Sequence, residues 1–276
     1  MEPVTEATLL RAIRALEEVQ DHLVVVGGTA HRLFPLHPLG RDPGFALLAT
    51  EDVDFAAPLE LQRDGSHQLL DRLREAGFEE KVRGTEEPAF IYPLRGQETT
   101  YLQFIANLTG SGRKRSGDRD RLMRFSGICA EKLRHVDVLL HATWDVSLEA
   151  EGTALQVRVA NPSAYLVQKL LTLEERIPAK RAKDLLYIFD TIAIFSESLS
   201  QLGDQAETLV PMLSRKARKK ITSAAAIHCF TEGATAREAA KIAQDQRQLP
   251  PTATKIVAAC ALGMRRILPD LLRVAS

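Results

Sequence analysis

Short β-branched and aromatic runs crowd the first 160 residues of this chain and then stop. His22–Val26 (H-L-V-V-V), residues 52–57 (D-V-D-F-A-A), 89–94 (A-F-I-Y-P-L), 99–106 (T-T-Y-L-Q-F-I-A), 136–140 (V-D-V-L-L) and 155–159 (L-Q-V-R-V) each read as a strand. Helical spacing appears among them in residues 5–20, where Leu9, Ile13, Leu16 and Val19 share a face. A second helix is expected from Thr29 until Pro35 and Pro38 end it, and a third over 66–76 with Gly77 as its stop. Residues 40–50 read as a loop. From Asn161 onward the pattern is helical only. Asn161-Pro162 starts a helix, since proline suits a first turn. Further helices are expected from Pro178 to about Leu202 and over 206–230, 235–247 and 251–274, with Thr235 and Glu238 forming a capping box. The expected architecture is α+β: a mixed sheet with flanking helices over residues 1–160, then an all-helical domain over 161–276.

The chain has 276 residues, 45% hydrophobic and 26% charged, which supplies a real core and excludes disorder as the main state. Lys and Arg total 36, as do Asp and Glu, so any nucleic-acid contact must come from local patches rather than a global field. Two patches exist. Residues 113–124 (R-K-R-S-G-D-R-D-R-L-M-R) hold six cations against two acids, and 215–220 (R-K-A-R-K-K) hold five cations and no acid. Each is a solvated face or a surface for an RNA acceptor. No run of 18 apolar residues is present, which argues against a membrane span. The start carries Glu2, Glu6, Glu17 and Glu18, unlike a secretory leader. Three scattered cysteines fit a reducing compartment, so a cytoplasmic location is expected. No P-loop, G-x-S-x-G or H-E-x-x-H occurs, against ATPase, serine-hydrolase and zinc-protease readings.

Two short motifs carry the chemistry. Gly27-Gly28-Thr29 lies between a strand and a helix. Such a pair is either a tight turn or a place where backbone can approach a phosphate, with Thr29 adding a hydroxyl. Asp52 and Asp54 lie one residue apart on an expected strand, so period-two alternation puts both carboxylates on one face. Neighbouring like charges are unfavourable without a cation between them, and hard ions such as Mg²⁺ take oxygen ligands. The alternative is a solvated acidic edge.

Taken together, a Gly-Gly-Thr turn, one helix and a strand bearing Asp-x-Asp resemble the nucleotidyltransferase superfamily (the DNA polymerase beta-like fold). The 24 positions from Gly28 to Asp52 exceed the commonest spacing and imply an insertion. The form V-V-G-G-T-A-H…L-L-A-T-E-D-V-D-F looks closer to a bacterial branch of nucleotidyltransferases related to AbiEii-type toxins. The resemblance implies a nucleoside triphosphate held by Gly27, Gly28 and Thr29, and Mg²⁺ or Mn²⁺ held by Asp52 and Asp54. It implies transfer of a nucleoside monophosphate to an acceptor hydroxyl, with a cognate antitoxin as a possible partner. A third carboxylate is expected on a later strand, but the matching position is Gln103, which cannot act as a base. Asp137 is one candidate for that role, as a third metal ligand. The AbiEii-like pattern supplies another. It places a helix lysine, Lys169, before a Lys-Asp pair, Lys183-Asp184, on the next helix, with Lys169 and Lys183 toward phosphate and Asp184 in the active site. On the first of these helices Leu166, Leu170 and Leu173 form the core stripe, with Tyr165, Lys169, Thr172 and Arg176 on the other side; on the second, Lys180 and Asp184 share a face. Two other outcomes are open: a catalytically silent interaction protein of a toxin–antitoxin pair, and a transferase acting on a small molecule such as an antibiotic.

Overall fold

The computed structural model describes residues 6–63, 68–84, 89–113, 116–117, 119–150 and 153–272. The chain forms two compact units. One comprises the residues up to Ala30 with Ala49–Ala160, the other His31–Leu48 with the residues from Asn161 onward. The expected boundary at 160/161 did not foresee that residues 31–48 group with the helices.

The first unit is built on a mixed sheet. Its strands are β1 (Val24–Val26), β2 (Asp52–Ala57), β3 (Lys81–Arg83), β4 (Ala89–Leu94), β5 (Gln97–Asn107), β6 (Leu122–Phe125), β7 (Ile128–Leu133), β8 (Thr143–Ala150) and β9 (Thr153–Ala160). The order is β3-β4-β5-β2-β1-β9-β8, with β7 paired to both β5 and β6. β2 is antiparallel to β1 and parallel to β5. The helices are α1 (Glu6–Ala15), α2 (Gly27–Leu33), α3 (Gln68–Glu75) and α4 (Val136–His141); α2 starts in this unit and ends in the next.

Alternation along β2 explains how the sheet divides. Val53 and Phe55 are buried on one face, where Phe55 stacks on Phe104 at 5.6 Å and Tyr92 and Phe125 meet Phe104 edge-on. The Tyr92 hydroxyl accepts the Cys129 N–H at 2.7 Å. On the other face, Val136 and Leu139 of α4 cover Val24, Val26, Ala56, Ile105 and Ala160. This apolar patch reaches the acid pair, because Val26, which belongs to it, pairs directly with Asp54.

The second unit holds α5 (Pro162–Thr172), α6 (Pro178–Ile194), α7 (Leu199–Leu209), α8 (Arg215–Ala224), α9 (Ala234–Gln246), α10 (Ala253–Ile267) and α11 (Pro269–Leu272). Asn161 caps α5, its side chain accepting the Ser163 N–H at 2.8 Å. The 31–48 segment is fastened to these helices. Phe34 is fully buried against Tyr165 and Phe195, the Arg41 N–H bonds the Ile194 carbonyl, and Ser198 Oγ bonds the Leu39 carbonyl. α10 meets α6 so closely that a Cβ on Gly263 would lie 2.5 Å from Ile192 Cγ2.

Several sequence expectations need correction. Residues 136–140 form α4, not a strand. Val136, Leu139 and Leu140 follow i, i+3, i+4 spacing, and a five-residue apolar run does not separate the two periods. The expected helix over 206–230 is broken after Leu209 by a turn containing Pro211, restarts at Ser214 and ends in a π-turn over Ala225–Cys229. The helix from Pro178 ends at Ile194, and α7 starts separately at Leu199. The cap of α9 is Gly233, and Thr235 Oγ1 instead lies 3.1 Å from His228 Nδ1, so no capping box forms. Strands β3, β6, β7 and β8 are each interrupted by charged or polar residues and present no continuous apolar run. Among the described residues, no helix is long and apolar enough to cross a membrane.

Gly263→Ala should lower stability by about 1–3 kcal/mol through overpacking against Ile192. Adding Ile192→Ala should recover part of that loss, which chemical denaturation of the single and double variants will measure.

Candidate active site

β1 ends at Val26 and the chain turns sharply at Gly27, whose φ is +64°. Side chains rarely adopt this left-handed conformation, and here a side chain would also have no room. A Cβ on Gly27 would lie 2.2 Å from Asp54 Oδ2. The glycine thus lets backbone and carboxylate occupy adjoining space.

Asp52 and Asp54 are half-buried at alternate positions of β2, on the face opposite Val53 and Phe55. Thr50 Oγ1 donates to Asp52 Oδ1 at 2.6 Å. Thr29 Oγ1 donates to the Asp52 carbonyl at 2.8 Å, so its hydroxyl proton ties the glycine turn to β2. In parallel register with β5, Asp52 stands beside Tyr101 and Asp54 beside Gln103. Burial, then the Asp52 charge, pushes the Tyr101 phenol above its ordinary pKa, with Asp54 and Glu51 adding to it. The Arg83 guanidinium, 4.5 Å from the ring centre, pulls the other way. Gln103 Nε2 donates to Glu131 Oε2 on β7 at 3.1 Å. Sequence reading missed Glu131, since β7 was not recognised as a strand.

Asp137 does not sit on a strand. It lies in the first turn of α4, exposed, while its neighbours Val136, Val138 and Leu139 are buried. Among the described residues, no group of three or more His, Cys, Asp or Glu side chains is arranged to hold a metal. The acid pair can therefore offer two carboxylates. That suits Mg²⁺, which keeps several waters and shares its remaining positions with substrate phosphates.

In the second unit, Lys169 and Asp184 meet. Lys169 Nζ lies 2.6 Å from Asp184 Oδ1, both residues being buried, and Arg176 Nε lies 3.1 Å from Oδ2. The Lys169 ammonium also rests over the rings of Tyr165 and Tyr187, and Lys183 Nζ is 5.7 Å from the Tyr187 ring centre. α5 is buried on nearly every side, so Tyr165 and Lys169 do not form the outer face expected of them. Asp184 takes Lys169 and Arg176 as partners rather than Lys180, which is exposed.

Further buried polar groups line the same unit. His31 is fully buried, and neither ring nitrogen has a hydrogen-bond partner. Burial, then the charges of Lys169, Arg247 and Arg32, lower its pKa to about 3, so the imidazole is neutral near pH 7. Its Nε2 lies 3.9 Å from Asp190 Oδ2, which accepts from Arg247 Nη2 at 2.6 Å. Burial raises the Asp190 carboxyl to about 7 against the pull of that guanidinium. His31, Asp190 and Arg247 carried no local signal, since they come together from segments far apart in the chain.

The basic runs differ in what their cations do. In 113–124, Lys114, Arg115 and Asp118 lie outside the described residues; Arg113 donates to the Gly117 carbonyl, and Arg124 lies over Phe90. In α8, Arg218 bonds the carbonyls of Leu213 and Val210, and Lys220 pairs with Glu175. Arg215, Lys216 and Lys219 remain exposed.

A strand, a glycine elbow and an adjacent strand bearing paired acids thus stand together in the first unit. The chain belongs to a nucleotidyltransferase family, whose model matches residues 5–210. The crystal structure of an antigenic nucleotidyltransferase-like protein from Paracoccidioides brasiliensis is similar at 17% identity and a TM-score of 0.38, covering 76% of this chain and 94% of that one. No curated protein matches the chain.

Three variants probe these packing arguments. Gly27→Ala should cost about 1–3 kcal/mol from the left-handed backbone alone, with further loss from displacement of Asp54, read by thermal unfolding. Asp184→Asn leaves Lys169 buried opposite a neutral amide and should destabilise by about 3–5 kcal/mol, whereas Lys180→Gln should change stability by less than about 0.5 kcal/mol.

Proposed function

We propose that this protein moves a nucleoside monophosphate from a nucleoside triphosphate to an acceptor hydroxyl, using the sheet face that carries Asp52 and Asp54. The observation that carries this reading is the packing of Asp54 Oδ2 into the space that a side chain at Gly27 would fill. Asp52 and Asp54 are the residues that would hold Mg²⁺ or Mn²⁺; their shared face and close spacing suit a hard cation. Bound there, the ion would neutralise negative charge developing on the reacting phosphate. Gly27 and Gly28 keep the elbow free of side chains, so a phosphate can approach the backbone. Thr29 holds that elbow on β2 through the Asp52 carbonyl, and Thr50 fixes the Asp52 carboxylate. The acceptor oxygen bonds to the α-phosphorus, the bond from that phosphorus to the oxygen bridging it to the β-phosphate breaks, and pyrophosphate leaves with that oxygen while the hydroxyl proton passes to bulk water. Lys169 and Asp184 neutralise each other and hold α5 to α6.

The favoured acceptor is an RNA hydroxyl, because α8 presents Arg215, Lys216 and Lys219 to solvent in a chain of zero net charge. The AbiEii-type, toxin-related reading is supported by the order Lys169 then Lys183-Asp184, and a cognate antitoxin is the partner it implies. A second reading, a catalytically silent nucleotide-binding protein, is favoured by Gln103 standing beside Asp54 where a carboxylate would complete the acid row.

Incubation with each labelled triphosphate, Mg²⁺ and total cellular RNA separates them. Label entering RNA is expected, falling at least about 100-fold in Asp52→Asn and Asp54→Asn. Mg²⁺-dependent thermal stabilisation by a nucleotide with no labelled product supports the silent reading. Neither label nor stabilisation overturns both.

A further inference from the structure

Gln103 occupies the position beside Asp54, yet it is held by a carboxylate rather than being one. β5 is flanked by β2 along one edge through Tyr101–Ala106. Its other edge is shared in succession by β4, near Tyr101 and Leu102, and β7, over Ile105–Asn107. Asp54 and Glu131 therefore stand on opposite sides of Gln103. Glu131 pairs in register with Ile105, two residues along β5, so its side chain shares the face of Gln103.

The carboxylate of Glu131 accepts hydrogen bonds and does not donate them when ionised, so only the NH₂ end of the Gln103 amide can turn toward it. The observed bond, Nε2 to Glu131 Oε2 at 3.1 Å, is that arrangement. A flipped amide would set oxygen against oxygen. With Nε2 engaged by Glu131 on the β7 edge, the amide oxygen makes no bond to that carboxylate, and β2 with Asp54 borders the other edge of Gln103.

We infer that Gln103 completes the Asp52–Asp54 pair as a neutral oxygen donor to the divalent cation, and that Glu131 is the positioning residue that sets its amide the right way round. This rests on the metal reading of Asp52 and Asp54 given above. It accords with the absence, among the described residues, of any group of three or more His, Cys, Asp or Glu side chains arranged to hold a metal. A carboxylate at position 103 would sit within hydrogen-bond distance of Glu131, and two like charges there would repel. The amide supplies a third protein oxygen without adding a third negative charge to the row. Carbonyl oxygens of Asn and Gln are ordinary ligands of hard cations, and partners that orient a ligand are worth about 10- to 100-fold in metal affinity.

The test is Mn²⁺ binding to the full chain, followed by loss of the free-ion electron paramagnetic resonance signal, with circular dichroism melts checking that each variant folds. Asp54→Asn tests the metal reading itself. Gln103→Leu should weaken Mn²⁺ about tenfold, and Glu131→Leu by several-fold up to about tenfold. Glu131→Gln keeps an oxygen that accepts from Gln103 Nε2, so it should bind within about twofold of the wild type. The double variant Gln103→Leu/Glu131→Leu should be no weaker than Gln103→Leu alone, because Glu131 acts through the amide. Mn²⁺ affinity that depends on Asp54 but is unchanged in Gln103→Leu overturns this inference and leaves the metal reading standing. So does a Glu131→Gln variant as weak as Glu131→Leu, which would make the charge itself the working feature. Absence of Asp54-dependent Mn²⁺ uptake in the wild type overturns the metal reading and this inference with it.

Discussion

The candidate site depends on one close approach: the carboxylate of Asp54 against the bare Cα of Gly27. Antiparallel register brings Val26 opposite Asp54, so the residue after the strand must pass beside a charged side chain. Only a residue without a Cβ, in a conformation with positive φ, allows that passage. Around this contact the supporting groups fall into order. Thr29 ties the elbow to the Asp52 carbonyl, Thr50 holds the Asp52 carboxylate, and Val53 and Phe55 anchor the strand in the opposite layer. α4 packs Val136 and Leu139 on the apolar part of the acid-bearing face, which runs up to Val26 beside Asp54.

The second unit uses charge differently. Lys169, Asp184 and Arg176 meet between buried helices, and Asp190 with Arg247 forms another buried pair beside a neutral His31. Such pairs cost desolvation and return it through mutual attraction, so removing one partner is more damaging than the net stability the intact pair adds. The rings of Tyr165 and Tyr187 add a soft electrostatic surface beneath the Lys169 ammonium.

How much of this was legible in the sequence follows from how local each signal was. β2 was readable to the residue, because Asp-Val-Asp-Phe alternates sharply between polar and apolar. The glycine elbow was readable from a strand that ends in two glycines. α4 was misread because five apolar-rich residues satisfy two periods at once, and with it went the case for Asp137 as a strand acid. Glu131 was invisible because β7 places Cys, Ala, Glu and Lys in succession between its terminal Ile and Leu, with neither a large apolar run nor a clean alternation. Lys169 and Asp184 were singled out by resemblance, but their burial was not foreseen, since α5 has so few polar positions that its amphipathic stripe is not a boundary. The Asp190–Arg247 pair spans 57 residues, a separation that no local pattern encodes.

The grouping of His31–Leu48 with helices that begin at Asn161 has a consequence for biosynthesis. Phe34 and the turn after it leave the ribosome more than a hundred residues before Tyr165, Ile194 and Phe195, their packing partners, exist. At about 5–20 residues per second, the segment waits several seconds or more with its aromatic side chain uncovered. The second unit therefore cannot close while the chain is still short, and the nascent polypeptide must carry an unfinished seam through the making of the whole sheet.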